Sequence, residues 1–244
     1  MINKIAPSVA AALAGVKDGA TVMIGGFGTA GIPNELIDGL IEQGARDLTV
    51  VNNNAGNGET GLAALLKAGR VRKIICSFPR QADSQVFDAL YRSGQLELVP
   101  QGNLAERIRA TGAGIAAFFT PTGYGTELAR NADGSAKETR EINGRQYVLE
   151  HAIHGDVALI KAERGDRWGN LTYRKAARNF GPVMATACTT TIATVHEVVA
   201  LGELDPEAIV TPGIHVQHVV QIARTVTQAG GVRPADAGSV KKAA

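Results

Sequence analysis

The chain has 244 residues, of which 45% are hydrophobic and 20% charged, and its formal net charge is +2. This size and composition suit one globular domain with a full core. The nearly balanced charge gives no electrostatic signal for nucleic acid or an anionic membrane surface, and no apolar run is long enough to span a bilayer. Cys76 and Cys188 form no Cys-x-x-Cys pair, and the N-terminus shows no secretory signal pattern. We therefore expect a reduced, cytoplasmic protein.

Short apolar runs alternate with helical patterns through the first half of the chain. A buried strand is predicted at Thr21–Ile24, followed by a helix that starts near Pro33 and is stopped by Gly44. This alternation continues and is typical of an open, mostly parallel, Rossmann-like α/β sheet with helices on both faces. The further predicted strands cover residues 48–51, 73–77 and 96–99, and the further predicted helices cover residues 62–68, 83–93 and 104–111.

The second half of the chain has a different character. Asn143 and Gly144 stand between two strand-like segments and predict a β-hairpin over residues 141–146. From Arg224 onward the residues are small and polar and show no apolar periodicity. We therefore expect one domain over residues 1–223 and a disordered tail over residues 224–244. Between hairpin and tail, strands are predicted at residues 156–161 and 191–199 and a helix at residues 182–187.

The segment after the first predicted strand is rich in glycine. Gly26, Gly28 and Gly31 fit the G-x-G-x-x-G pattern between a strand and a helix, the context in which the pattern binds a dinucleotide. Glycines let the backbone approach a phosphate or a thioester closely, although a tight packing turn has the same pattern. An NAD site also needs a carboxylate at the end of the next strand, where this chain has asparagine at positions 52–54. An NAD-dependent oxidoreductase is therefore disfavoured.

A longer stretch around the glycines gives them a specific context. Residues 18–33 contain an Asp-Gly pair, apolar residues, a Gly-Gly-Phe triplet and a later glycine and proline, and they resemble the signature of the α (A-type) chains of family I (3-oxoacid) coenzyme A transferases. Within that family, the sequence is most similar to the enzymes that act on 3-oxoadipate and succinyl-CoA. The resemblance covers nearly the whole chain except the tail, and continues through residues 52–56, 100–102, 105–109, 119–126, 169–180 and 211–214.

The resemblance implies a set of expectations about the site. The family has the open α/β sheet described above, and its glycine loop contacts CoA. The corresponding CoA-binding residues here are Gly25, Gly26, Phe27, Gly28, Thr29, Ala30 and Gly31. The family nucleophile is a glutamate in a Ser-Glu-Asn-Gly segment of the β (B-type) subunit, and this sequence lacks that segment. We therefore expect no catalytic nucleophile in this chain.

The same resemblance predicts partners and substrates. The chain is expected to act only with a β subunit, in a heterodimer or heterotetramer, and to need no tightly bound cofactor because the CoA thioester is a substrate. Succinyl-CoA is the expected donor and 3-oxoadipate the expected acceptor, with acetoacetate or another short 3-oxoacid as the alternative. A non-catalytic CoA- or nucleotide-binding subunit is a further alternative.

Other polar residues are candidates for ligand contacts. Gln101 follows a predicted strand and precedes a predicted helix, where open α/β sheets place ligands. Arg174, Lys175 and Arg178 form a dense cationic stretch that suits CoA phosphates or a substrate carboxylate, or alternatively a salt-bridge cluster within the protein or between subunits. Arg174 is the first candidate for the second carboxylate of 3-oxoadipate. Glu59 is interpreted as a solvated charge at a helix start.

Two histidine pairs share a spacing of three residues, His151 with His154 and His215 with His218. The surrounding sequence is extended, and there residues three apart point to opposite faces. No cysteine or carboxylate set completes a tetrahedral site. We therefore expect no metal site.

Overall fold

The structure, a computed structural model, describes residues 2–56, 58–78, 87–131, 133–228 and 231–234. The strands are β1 (Thr21–Ile24), β2 (Leu48–Val51), β3 (Val71–Cys76), β4 (Leu96–Leu98), β5 (Ala117–Thr120), β6 (Thr139–Ile142), β7 (Arg145–His151), β8 (Gly155–Lys161), β9 (Arg164–Asp166), β10 (Leu171–Thr172), β11 (Cys188–Val195), β12 (Glu197–Val199), β13 (His218–Gln221), β14 (Thr225–Gln228) and β15 (Gly231–Pro234). The helices are α1 (Val9–Leu13), α2 (Asn34–Gln43), α3 (Leu62–Lys67), α4 (Phe87–Arg92), α5 (Gln101–Gly112) and α6 (Gly181–Ala187), with 3₁₀ turns at Glu127–Ala129, Lys175–Arg178, Pro206–Ala208 and Gly213–His215.

The largest sheet has seven strands in the order β13-β11-β8-β1-β2-β3-β4. Every neighbouring pair in it is parallel. The chain runs outward from β1 through β2, β3 and β4, and later returns to the other side of β1 with β8, β11 and β13. The strand order therefore reverses between β1 and β8, and ligands of open α/β sheets bind outside the carboxyl ends of the strands at such a point. The glycine segment leaves β1 at this position.

Helices cover both faces of this sheet. Val22 and Ile24 of β1 pack in one buried cluster with residues of α1, α2 and α3, whereas Met23 packs in a second cluster with residues of α5 and α6. Alternate residues of one strand are therefore buried on opposite faces, as parallel sheets between two helical layers require. The predicted α/β fold class, with a mostly parallel sheet and helices on both faces, is confirmed.

Three smaller sheets accompany the main one within the described residues. β5, β7 and β6 form an antiparallel sheet, in which the β6–β7 hairpin turns at Asn143 and Gly144 with φ of 52° and 74°. Positive φ at both central residues is the type I′ geometry that Asn-Gly favours, so the predicted hairpin is confirmed. β9 pairs with β10 and β12, and β14 pairs with β15. The domain boundary at residue 223 and the disordered tail stay predictions, since residues 229–230 and 235–244 lie outside the described residues.

Ion pairs connect the edge strand β4 to β3 and to α5. Glu97 of β4 accepts hydrogen bonds from Lys73 of β3 at 2.5 Å and from Arg107 of α5 at 3.0 Å. Arg107 also donates to the carbonyl oxygen of His151 in β7 at 2.7 Å. Burial alone would raise the pKa of Glu97, but the hydrogen bonds from the two cations outweigh it and lower that pKa.

In the part of the chain described, no helix is long and apolar enough to cross a membrane.

Candidate active site

The glycine loop, residues 25–31, is a tight turn at the carboxyl end of β1. The backbones of Phe27 and Ala30 exchange two hydrogen bonds of 3.0 Å, which fold the loop back on itself. Gly25 donates its backbone N–H to the carbonyl oxygen of Leu159 in β8 at 2.9 Å. The loop thus bridges β1 and β8 at the point where the strand order reverses.

Two glycines of the loop have different surroundings. A Cβ added at Gly31 would collide with the carbonyl oxygen of Ala177, so this glycine permits close packing against residues 174–179. Gly28 has φ of 59°, and a Cβ added there would meet no atom within 4 Å. Gly28 therefore faces open space and leaves its backbone accessible to a ligand.

Some backbone N–H groups of the loop donate hydrogen bonds within the fold, and others have no acceptor among the described residues. Those of Gly25 and Gly26 have acceptors within the fold, as do those of Phe27 and Ala30. Within the described ranges, no acceptor is present for the N–H groups at positions 28, 29 and 31. The adjacent N–H groups of positions 28 and 29, at the loop tip, are available to an anionic or carbonyl oxygen.

The asparagines that follow β2 hold the loop in place. Asn52 donates its side-chain amide to the carbonyl oxygen of Ile24 at 2.6 Å, and its Oδ1 accepts the backbone N–H of Asn54 at 2.7 Å. The Asn54 amide in turn donates to the carbonyl oxygen of Gly28 at 3.2 Å. Both asparagines are buried. The position where an NAD site needs a carboxylate is thus occupied by amides with structural hydrogen bonds.

Gln101 is connected to the same network. As the first residue of α5, it is exposed, and its Nε2 donates to Oδ1 of Asn53 at 2.7 Å. Ser77, after β3, donates its hydroxyl to the same oxygen at 2.6 Å. Asn53 Nδ2 then donates to Oδ1 of Asn54 at 2.7 Å. A continuous chain of side-chain hydrogen bonds therefore runs from Gln101 to the carbonyl of Gly28.

The segment that carries the cationic stretch also contacts the loop, where Gly31 meets Ala177. Arg174, Lys175 and Arg178 are exposed, and none forms an ion pair with the residues that the structure describes. Among the described residues, these three cations therefore form no salt-bridge cluster. Arg178 lines a cavity of about 310 Å³ together with Phe27, Ala30, Ala176 and Asn179. Arg174 does not line this cavity, so Arg178 is the cation placed beside the glycine loop.

Glu59 takes part in none of the contacts described above. Its side chain is 85% exposed and pairs with Lys67 at 2.9 Å. The hydrogen bond from Lys67 lowers the pKa of Glu59. This surface pairing agrees with the interpretation of Glu59 as a solvated charge.

The histidine pairs show no metal-binding arrangement. His151 ends β7 and His218 begins β13, while His215 ends a 3₁₀ turn. Among the described residues, no three His, Cys, Asp or Glu side chains lie together as metal ligands. That the protein needs no metal stays a prediction.

Sequence reasoning missed several residues of this site. The sequence presents Asn52 and Asn54 only as the absence of a carboxylate, and it gives no signal for Ser77. Asn179, whose side chain contacts the glycine loop, carries no signal beyond its place in the resembling segment 169–180. These contacts join residues far apart along the chain, and only the packed sheet brings them together.

Comparisons with known proteins find similar sequences among coenzyme A transferases. The family model described as coenzyme A transferase matches residues 6–222. The A-type chain of the 3-oxoadipate CoA-transferase of Pseudomonas putida is 69% identical over 225 residues, which are 91% of this chain and 95% of that protein. The A-type chain of the succinyl-CoA:3-ketoacid coenzyme A transferase of Helicobacter pylori J99 is 47% identical over 220 residues, which are 89% of this chain and 92% of that protein.

A solved structure extends the similarity to the fold. An acyl-CoA transferase of Escherichia coli O157:H7, in a thioester complex with CoA, superposes with a TM-score of 0.77 at 23% identity. The match covers 90% of this chain and 47% of that one, so this chain spans about half the length of that protein. At this identity the likeness concerns the fold alone.

Proposed function

The chain belongs to the coenzyme A transferase family, and we propose that it is the α subunit of an enzyme that transfers CoA from succinyl-CoA to 3-oxoadipate. The observation that carries the proposal is the 69% identity to the corresponding chain of a 3-oxoadipate CoA-transferase, over 95% of that chain's length. Identity falls to 47% for the relative from a succinyl-CoA:3-ketoacid transferase. This difference favours 3-oxoadipate over acetoacetate or another short 3-oxoacid as the acceptor.

The glycine loop is the proposed contact with the CoA thioester. When a nucleophile attacks the thioester carbon, negative charge develops on the carbonyl oxygen. The N–H groups of Gly28 and Thr29 have no acceptor among the described residues and are free to stabilise that charge. Because Gly28 carries no side chain and faces open space, the thioester is able to approach the backbone closely. The remaining loop residues, from Gly25 to Gly31, shape this turn.

The nucleophile is proposed to come from a β subunit. In the mechanism that the family resemblance implies, a glutamate carboxylate attacks the thioester, the C–S bond breaks, and an acyl-glutamyl anhydride forms while CoA leaves as the thiolate. CoA then attacks the glutamyl carbon, which releases the acid and leaves a glutamyl-CoA thioester for the acceptor carboxylate. Neither the glycine loop nor the asparagines at 52–54 include a carboxylate in this chain. The chain therefore supplies binding and charge stabilisation, and it is expected to need no tightly bound cofactor.

Two polar groups are proposed to contact the acids. The exposed amide of Gln101 stands at the start of α5, where it is able to bind an acid's carboxylate or keto oxygen. Arg174 remains the first candidate for the distal carboxylate of 3-oxoadipate, and Arg178 is proposed for CoA because it lines the cavity beside the loop.

Both cysteines are free thiols, which fits action in the cytoplasm.

Substrate competition tests the acceptor assignment. The assembled α and β subunits are supplied with succinyl-CoA and with either 3-oxoadipate or acetoacetate, and kcat/KM is measured for each acceptor. We expect the value for 3-oxoadipate to be at least ~10-fold higher, equivalent to about 1.4 kcal/mol. Equal values, or a preference for acetoacetate, would contradict the substrate assignment while leaving the transferase activity in place.

A further inference from the structure

Asn179 binds the glycine loop with both ends of its side-chain amide. Its Oδ1 accepts the backbone N–H of Gly26 at 3.0 Å, across 153 positions of the chain. Its Nδ2 donates to the carbonyl oxygen of Ala30 at 3.0 Å. One side chain thus contacts the loop both before and after its tip, where the free N–H groups of Gly28 and Thr29 lie.

The same side chain also organises the cationic turn, residues 174–179. Nδ2 of Asn179 lies 3.1 Å from the carbonyl oxygen of Ala176 and 3.3 Å from that of Ala177, and Oδ1 accepts the backbone N–H of Phe180 at 2.7 Å. Lys175 in this turn has φ of 52°. A left-handed backbone is unfavourable for lysine, and such a conformation persists only where surrounding contacts hold it.

The glycine loop and the cationic turn are in direct contact at Gly31. A Cβ at Gly31 would collide with the carbonyl oxygen of Ala177, so the backbones are in direct contact. The cavity lined by Phe27 and Arg178 opens between the same two segments. A ligand in this cavity would therefore touch the cationic turn and the loop at once.

We propose that Asn179 is a positioning residue that couples the cationic turn to the glycine loop, and so fixes where the N–H groups of Gly28 and Thr29 point during CoA transfer. This inference rests on the proposed function. Because Asn179 accepts the backbone N–H of Gly26, that donor is not available to a ligand. A displacement of about 1 Å in such donors weakens their contact with a developing oxyanion far more than their contact with the uncharged thioester.

The test uses the complex of the α and β subunits. Asn179→Ala removes both halves of the amide, and Asn179→Asp keeps the accepting oxygen while it removes the donor to Ala30. Asn131→Ala is the matched control, since Asn131 Nδ2 donates to Ser135 Oγ at 3.0 Å in an exposed turn. For each protein, kcat and KM for succinyl-CoA are measured per mole of assembled complex, together with the thermal midpoint.

A positioning role predicts a loss in kcat of at least ~10-fold for both Asn179 variants, with KM changed less than ~3-fold, because the lost contact acts mainly in the transition state. The Asn131→Ala control should retain the wild-type kcat and KM. A kcat within about two-fold of wild type in the assembled variants would overturn the inference, as would failure of both variants to assemble, since Asn179 would then be only structural. An inactive wild-type complex would instead overturn the proposed function.

Discussion

Nε2 of Gln101 lies 2.7 Å from Oδ1 of Asn53, although 48 positions separate the two residues in the chain. Asn53 follows β2 and Gln101 follows β4, so their contact spans the carboxyl end of β3, which lies between those strands in the sheet. Through Asn54 the contact continues to the glycine loop. The side-chain amide of Gln101 is thereby connected through hydrogen bonds to the proposed thioester site.

Replacement of Gln101 tests whether this amide contacts the substrate. Gln101→Leu should lower kcat/KM for the 3-oxoacid at least ~10-fold, because the leucine offers the acid no hydrogen bond. Ser77→Ala is the control, since Ser77 donates to the same oxygen of Asn53 at 2.6 Å. Steady-state kinetics of the assembled enzyme give kcat/KM for both variants. Similar losses in both variants would mean that Gln101 acts only by holding Asn53.

The loop tip is tested by adding a side chain at Gly28. Gly28→Val should lower kcat/KM for succinyl-CoA at least ~10-fold, since the valine occupies the space where the thioester approaches the backbone. Gly69→Val carries the same backbone penalty, because Gly69 has φ of 65° and open surroundings, but it precedes β3 at the opposite end of the sheet. If the two folded, assembled variants have equal kinetics, the loop is only a packing turn.

Arg174 is tested by its effect on substrate choice. Arg174→Met removes the charge and keeps much of the apolar stem, so turnover of 3-oxoadipate should fall at least ~10-fold while turnover of acetoacetate, which lacks the second carboxylate, should fall less than ~3-fold. Arg46→Met serves as a control at an exposed arginine before β2. Equal losses for both acids would assign Arg174 to CoA, to the subunit interface or to the fold.

The ion pairs of Glu97 predict a dependence of stability on pH. The folded-state pKa of Glu97 is lowered, so its contribution is fully present above the unfolded pKa of about 4.3 and is lost as the pH falls through the folded value. At pH ~7, Glu97→Gln should lower the free energy of unfolding by about 1–3 kcal/mol, and the difference from wild type should shrink below pH ~4. Denaturant unfolding of the complex at fixed protein concentration measures the free energy of unfolding of the variant and of the wild type at each pH.

The control for that measurement is Glu59→Gln, which removes the charge of an exposed carboxylate paired with Lys67. It should change the stability far less, because water screens the exposed pair. A Glu97→Gln variant whose destabilisation stays constant from pH ~7 to about pH 3 would show that the glutamine disturbs packing rather than an ionic contact.

The strands of the main sheet could largely be predicted from the sequence. The apolar runs predict β1 at Thr21–Ile24 and β2 at Leu48–Val51, and both are observed with these bounds. Each is an uninterrupted run of apolar and β-branched residues, as burial on both faces demands. The predicted strand over residues 191–199 instead forms β11 and β12. It divides at His196 because β12 leaves the main sheet and pairs with β9, a tertiary preference that the continuous β-branched run does not reveal.

Helix starts were less predictable. α5 begins at Gln101, three positions before the predicted start, with the extended Pro100 as its N-cap. Pro33 is expected inside the first turn of α2 but is its N-cap. The shift in α5 matters for the site, since it makes Gln101 a helical residue. The contacts of Asn179 were not predictable at all, because a hydrogen bond to Gly26 depends on how two distant segments pack.

The most direct test of the proposed function is CoA transfer from succinyl-CoA to 3-oxoadipate, measured with the purified chain alone and again after addition of a β subunit that carries the Ser-Glu-Asn-Gly segment. Because neither the glycine loop nor the asparagine run at 52–54 provides a carboxylate, we predict no turnover by the chain alone and full turnover by the assembled pair. Turnover by the single chain at the rate of the pair would contradict the proposed division of roles, as would an assembled pair that forms no 3-oxoadipyl-CoA.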